Sequence, residues 1–241
     1  MMEIDAPTTM DAWKLALAHI RDHGEDFRDD DLRTCREALN LSVRIEHPEV
    51  GNDEPIEVVR KIDKWVYPSK DEMVGIVFNQ MELPLYDYTY GSRMFNYQGE
   101  LDQVNGFIIP LLKKNLSSRR ATVITIDPLR DLDVHNRNIP GLISLHFKVY
   151  GKRLLVTSVI RSNDFFIGWP ANIYQLATLQ KYIADELGLQ QGSLTTYSLS
   201  AHVFAEYKML MRTALRRASD QEQLKERLSE VERKQGEGSK E

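Results

Sequence analysis

The sequence predicts an α+β fold in which a mixed β-sheet packs against helices. Two hydrophobic periodicities run along the chain, roughly 3.6 residues and roughly 2, without the strict strand-helix-strand rhythm of a doubly wound sheet. The composition is that of a globular protein, with 42% hydrophobic and 28% charged residues in 241. That length buries a sizeable core in about one domain. Residues 1–220 read as that domain, and the highly charged 221–241 as a helix extension or tail.

The elements follow in order. "APTTMDAWKLALAHIRDHG" opens on Pro and Thr/Asp cap candidates, places Trp13, Leu17 and Ile20 at helical spacing and stops at Gly24. "LNLSVRIEHP" alternates Leu39, Leu41, Val43 and Ile45 with polar neighbours and reads as a strand ended by Pro48. Residues 55–82 read as mainly helical, and 100–116 as a helix that Pro110 kinks or shortens. "ATVITIDP" and "LISLHFKVYGKRLLVTSVIR" are rich in β-branched residues and predict a strand beside a hairpin turning at Tyr150-Gly151-Lys152. "NIYQLATLQKYIADELGLQQG" carries Ile173, Leu176, Leu179, Ile183 and Leu187 on one helical face. "SLTTYSLSAHVF" is a further strand, and "EYKMLMRTALRRA" a final helix.

A formal net charge of −5 argues against a protein whose main work is gripping nucleic acid or an anionic membrane. It leaves room for a local basic pocket around one phosphorylated small molecule. With Cys35 as the single cysteine, no intrachain disulfide and no Cys-based zinc cluster can form, as suits a reducing cytoplasm. There is no apolar run of about 18 residues to span a membrane, and the first residues carry acids rather than the basic start of a signal peptide. A cytoplasmic protein without membrane or nucleic-acid partners is the expectation.

Three polar clusters could carry chemistry. "SSRR" sets Arg119 and Arg120 before a strand, either as a solvated turn or as planar donor forks matched to phosphate oxygens. In "VIRSNDFFIGWPANIYQL", Arg161 and Ser162 could serve the same phosphate, while Asp164 and Asn172 lie beside an aromatic surface. An Asn amide accepts and donates at once, which suits the adjacent acceptor and N–H of a uracil edge. Internal hydrogen bonding of the fold is the alternative. In "SLSAHVF", His202 is either a sugar-hydroxyl partner or a satisfied structural residue.

Taken in order, "YDYTYGSR", "SSRRATV", "RSND…GWPAN" and "SAHVF" resemble the thymidylate synthase and deoxycytidylate hydroxymethylase family, closest to its short archaeal-type members, from about Tyr86 to Phe204. The resemblance implies a homodimer joined through its sheet, with Arg119 and Arg120 lent across the interface to the partner's nucleotide phosphate. Arg161 and Ser162 would hold the phosphate from the same subunit. Arg33 or Arg36 would supply a further arginine from an N-terminal loop. Asn172 would read the pyrimidine edge, favouring uracil, and His202 the sugar. Asp164 would engage the cofactor, 5,10-methylenetetrahydrofolate, with no metal. Tyr90 would stand beside the reacting carbon, and Glu72, ahead of Glu82, would be the general acid/base.

Two positions depart from the pattern. Phe204 stands where the family has a sugar-binding Tyr, which puts the deoxyribose preference in doubt. The family's nucleophile is a Cys after Pro, twenty residues before the Arg of the "RSxD" block, and here that position is Gly141. Carbon C5 of uracil is a weak nucleophile until a thiolate adds at C6, and glycine offers none. Ser144 and His146 alternate onto the opposite strand face from Gly141 and are poor substitutes. The favoured reading is folate-dependent methylation or hydroxymethylation at C5 of a uracil nucleotide such as dUMP, by a variant mechanism. The alternatives are a catalytically inactive nucleotide-binding homologue, or an enzyme for a ring that needs no covalent activation.

Overall fold

A computed structural model describes residues 2–48, 55–62, 68–81 and 88–216. Its centre is one seven-stranded sheet in the order β1-β3-β7-β6-β5-β4, with β2 also paired to β3. The strands are β1 (Met2–Thr8), β2 (Glu25–Arg28), β3 (Thr34–His47), β4 (Thr122–Ile124), β5 (Leu142–Tyr150), β6 (Arg153–Asp164) and β7 (Gln190–Phe204). The β1/β3 and β6/β7 pairs are parallel and the others antiparallel, so the sheet is mixed, as the sequence predicts.

Helix α1 (Thr9–His23) begins where the Thr8 hydroxyl accepts the Asp11 N–H, and ends at Gly24. It lays Ala12, Trp13, Ala16, Leu17 and Ile20 on β1 and β3. Helix α7 (Gly168–Glu186) is the crossover that parallel pairing of β6 with β7 requires, and it covers both strands. The β5/β6 hairpin turns through Gly151, whose φ of +60° is the left-handed value glycine adopts freely. The opposite sheet face carries Leu155, Thr157, Val159, Thr195, Tyr197 and Leu199, all half-buried or exposed.

The structure adjusts several expectations. Among the described residues of 55–81 there are two short helices, α2 (Pro55–Arg60) and α3 (Lys70–Val77), the second starting after Pro68 at the Ser69 cap. The stretch around Pro110 divides into a π-helical turn, Val104–Ile108, and α5 (Ile109–Lys114), with the proline in the first turn of α5 where its missing N–H is tolerated. Leu39 leaves the apolar face of β3 and is 64% exposed, since the left-handed Asn40 (φ 56°) breaks the alternation. Strands β1 and β2 escape sequence reading: β1 alternates only Ile4 and Ala6 among acids, and β2 is exposed throughout. The predicted tail, 221–241, and Glu82 lie outside the described residues.

Two aromatic anchors fix the end of β6. The Trp13 indole N–H donates to the Phe165 carbonyl at 2.7 Å, and its ring stacks on Phe166. Trp169, at the start of α7, stacks on Phe165 and donates to the Thr196 hydroxyl at 3.2 Å. Replacing Trp13 by Phe leaves the buried Phe165 carbonyl unsatisfied and is expected to destabilise the protein by about 1–3 kcal/mol in urea unfolding. Trp13→Ala, which also opens a cavity, should cost about 3–5 kcal/mol.

Candidate active site

The first group of site residues gathers where β5 begins. Helix α4 (Tyr90–Phe95) starts at the Thr89 cap, whose hydroxyl accepts the Ser92 N–H while the Ser92 hydroxyl returns a bond. Gly91 lets α4 lie against the end of α3, because a Cβ there would sit 2.1 Å from the Ile76 carbonyl oxygen. Tyr90 thereby brings its hydroxyl to β5, where it accepts the Leu142 N–H at 3.2 Å. A Cβ built on Gly141 would lie 3.2 Å from that hydroxyl and 3.2 Å from the Ser162 carbonyl oxygen. The phenol of Tyr90 thus stands at the mouth of the position where any side chain at 141 would emerge.

Arg161 pairs its backbone N–H with the Gly141 carbonyl, and its guanidinium donates to the carbonyls of Pro140 (3.2 Å) and Ile139 (2.8 Å). Two of its five donors are so occupied, leaving a half-buried cation with N–H groups to spare. Ser162 follows it, exposed, and its hydroxyl makes no bond among the described residues. Asn172, on the first turns of α7, lines a cavity of about 10 Å³ with Tyr90, Leu142, Ile160 and Gln175, room for one water. No described side chain engages the Asn172 amide. Gln175 beside it donates to the Met73 sulfur, and its buried Oε1 has no hydrogen-bond partner among the described residues.

A second group lies one turn of strand further on. Asp164 and His202 face each other in the β6/β7 register. The Asp164 Oδ1 accepts the N–H groups of Phe166 and Ile167, and Oδ2 makes no hydrogen bond among the described residues. Burial pushes the Asp164 carboxyl up from its ordinary pKa, against the pull of those N–H groups and of His202. Burial likewise pushes His202 down, against the raising effect of Asp164 and Glu37. Both shifts favour neutral forms, so the pair suits a ligand that brings its own hydrogen-bond donors and acceptors. Phe204 meets the His202 ring edge-on at 4.9 Å, and the Arg33 guanidinium lies 3.4 Å above the Phe204 ring centre. Arg33 also donates to Glu206 at 2.7 Å.

The remaining candidates stand apart. Arg36 turns towards α1, donating to the Arg21 carbonyl and to Asp26, so of the two N-terminal arginines it is Arg33 that joins Asp164 and His202. Arg119 and Arg120 are exposed before β4 and have no ion-pair partner among the described residues. Thr122 pairs with His146, which places Arg120 about 20 Å along the sheet from Gly141. Glu72 is exposed and closes the α3 capping box with the Ser69 N–H, which holds its carboxyl below the ordinary range. Ser144 and His146 hydrogen-bond each other, and His146 also Thr122, on the face opposite buried Leu145.

Cys35 pairs with Phe204 on β3, three strands from β5 and five residues along, about 14 Å across and about 16 Å lengthwise from Gly141. Burial and then Glu37 push its thiol up to about 11, a protonated and sluggish nucleophile at neutral pH.

Sequence reading missed the supports of Tyr90. Arg93, one turn along α4, forms a buried ion pair with Asp131 at 2.7 Å and lies over the Tyr88 ring. Asp131 in turn accepts the Asp127 N–H. Gln103 ties the Arg93 carbonyl to both backbone groups of Ile124 in β4. Arg93 sits inside the "YDYTYGSR" block, but Asp131 ends a short helix, α6 (Pro128–Asp131), to which sequence reading assigned no role, so only the fold reveals the pair.

Comparison with known proteins places the chain in a family. The family model described as thymidylate synthase matches residues 63–236. A relative from Methanococcoides burtonii, described as "Putative thymidylate synthase", is 35% identical over 201 residues, 83% of this chain and 88% of its own. Relatives under the same description from Methanosarcina barkeri and Methanosarcina mazei are each 33% identical over the same shares. Among the described residues no helix is long and apolar enough to cross a membrane. With most of its length inside the family model and relatives at this level across more than four fifths of it, the chain belongs to the thymidylate synthase family.

Proposed function

We propose that the protein transfers a one-carbon unit to C5 of a uracil nucleoside monophosphate without a thiolate nucleophile. The observation that carries this reading is the Tyr90 hydroxyl, 3.2 Å from the point where a Gly141 side chain would begin, on a residue that shares a small cavity with Asn172. Family membership supports the reaction class, and the residues present fit the family's ligands. Arg161 and Ser162 offer unspent donors to a phosphate. Asn172 offers the paired donor and acceptor that a uracil edge needs. The Asp164 carboxyl, whose Oδ2 makes no hydrogen bond among the described residues, suits the ring edge of reduced folate, which offers both donors and acceptors and which when bound supplies the one-carbon unit.

In this reading the chain's own groups replace covalent activation by polarisation. The Leu142 N–H, directed at Tyr90 Oη, favours negative charge on that oxygen. Tyr90 holds or takes the proton exchanged at the ring carbon, and Arg161, anchored on the two carbonyls before Gly141, fixes the phosphate and hence the ring. The glycine belongs to this arrangement, since a side chain there would press on the phenol.

A homodimer accompanies the reading. Arg119 and Arg120 are too far from Gly141 to serve the same subunit's phosphate. The sheet face bearing Val159 and Leu199 has no helix over it among the described residues, and a second copy meeting that face could supply the missing arginines.

Three outcomes test the proposal. Tritium release from [5-³H]dUMP with methylenetetrahydrofolate is expected from the native protein, and Arg161→Ala should lower kcat/KM by about tenfold to a hundredfold. Absence of release from the native protein, with release by Gly141→Cys/Tyr90→Phe, would instead identify a nucleotide-binding homologue. In calorimetry, Asn172→Asp should lower the preference for dUMP over dCMP by about tenfold or more, and an unchanged ranking would remove Asn172 from base recognition. Val159→Glu should turn a dimer into a monomer in analytical ultracentrifugation and abolish activity with it; a protein monomeric before the change would overturn the shared site.

A further inference from the structure

A second cavity, of about 380 Å³, opens between the end of α1, the start of β3 and the helical residues 208–216. Four cations line it: Arg21, Arg36, Lys208 and Arg212. The acid on its wall is Asp26, which is already bonded to Arg36. Arg21 pairs with the neighbouring Asp22. Lys208 and Arg212, by contrast, stand one helical turn apart with no ion-pair partner among the described residues. Like charges at that spacing repel. A chain with a net charge of −5 therefore concentrates positive charge around one concavity. The floor is apolar, made by Ile20, Val203, Met211 and Phe204.

This cavity is separate from the one proposed for substrate. Arg161, Asp164, Asn172 and His202 do not line it. In the sheet register Arg36 pairs with Val203, whereas Arg161 lies two strands away and about four residues back, roughly 16 Å in all. One phosphate cannot touch both. What the two share is Phe204, which lines this cavity and meets His202 edge-on.

We propose that this cavity is a second anion-binding site, for a small molecule carrying two or more phosphate charges on a flat apolar body, the class of a nucleoside di- or triphosphate. The phosphates meet Lys208 and Arg212, which have charge to spare, with Arg36 and Arg21 behind them. The flat body lies on Met211 and Phe204. Volume fits the class: a mononucleotide-sized ligand fills a pocket at the small end of the usual range of roughly 300–1,000 Å³. The inference does not depend on the reaction proposed above.

The test is isothermal titration of the full chain at low salt with ATP and with inorganic pyrophosphate as probes, using native protein, Lys208→Ala/Arg212→Ala and Arg161→Ala. Saturable ATP binding is expected, weakened about tenfold or more in the double variant and unchanged in Arg161→Ala. Pyrophosphate should bind more weakly than ATP because it leaves the apolar floor bare. Both exchanged residues are exposed, and a thermal melt checks that the double variant folds as the native protein does. Absence of saturable ATP binding overturns the site. Loss of binding in Arg161→Ala but not in the double variant also overturns it, by showing that ATP enters the other cavity. Equal affinity for pyrophosphate and ATP overturns the assignment of a nucleoside-like ligand.

Discussion

The parallel pairing of β6 with β7 is the constraint on which the rest of this molecule depends. It sets Asp164 opposite His202 and requires the long return through α7, which delivers Asn172. Parallel strands carry no tight turn between them, so their ends must be fixed from outside. Trp13 does this from α1 by donating to the Phe165 carbonyl, and Trp169 from α7 by reaching Thr196. The Phe165 N–H also returns to the His202 carbonyl, closing the strand end on itself. A polar turn can therefore lie among buried aromatic rings with its backbone groups satisfied. This explains why Arg, Ser, Asp and Asn occur in an otherwise apolar stretch: the rings are the frame and the polar groups are what it holds.

The second organising feature is the close approach of α4 to β5. Gly91 permits it on one side and Gly141 on the other, and between them Tyr90 meets the Leu142 N–H. The buried Arg93–Asp131 pair and the Gln103 bridge lock α4 in that place. Removing either member of such a pair leaves a buried charge, so this support is costly to disturb. The phenol is consequently a positioned group rather than a mobile one, the condition under which a single hydroxyl can act on a bound ring.

Charge is distributed unevenly over a chain that is acidic overall. Among the described residues, spare guanidinium donors occur at Arg161 beside Gly141, at Arg119 and Arg120 on the far end of the sheet, and around the cavity next to Phe204. Some acids are engaged in caps and pairs, as with Glu72 at Ser69 and Asp26 at Arg36. Local sign, and not net charge, governs what a small anion meets.

Much of this was legible in the residues alone. Periodicity identified α1, α7 and the later part of β3, because each buries one face strongly enough to imprint it on the sequence, and β-branched content identified the β5/β6 hairpin. The ordered motif blocks carried the family. The residues could not reveal strands β1 and β2, whose pairing rests on backbone bonds to β3 rather than on apolar content. Nor could they show that Asn40 turns Leu39 outward, or that Arg33, not Arg36, joins the strand ends. The family resemblance pointed to Gly141 and Tyr90 separately; the tertiary structure put the Tyr90 hydroxyl 3.2 Å from where a side chain at 141 would begin. The division has one physical cause: burial leaves a local pattern that can be read along the chain, whereas the aim of a polar side chain is decided by which distant backbone it meets.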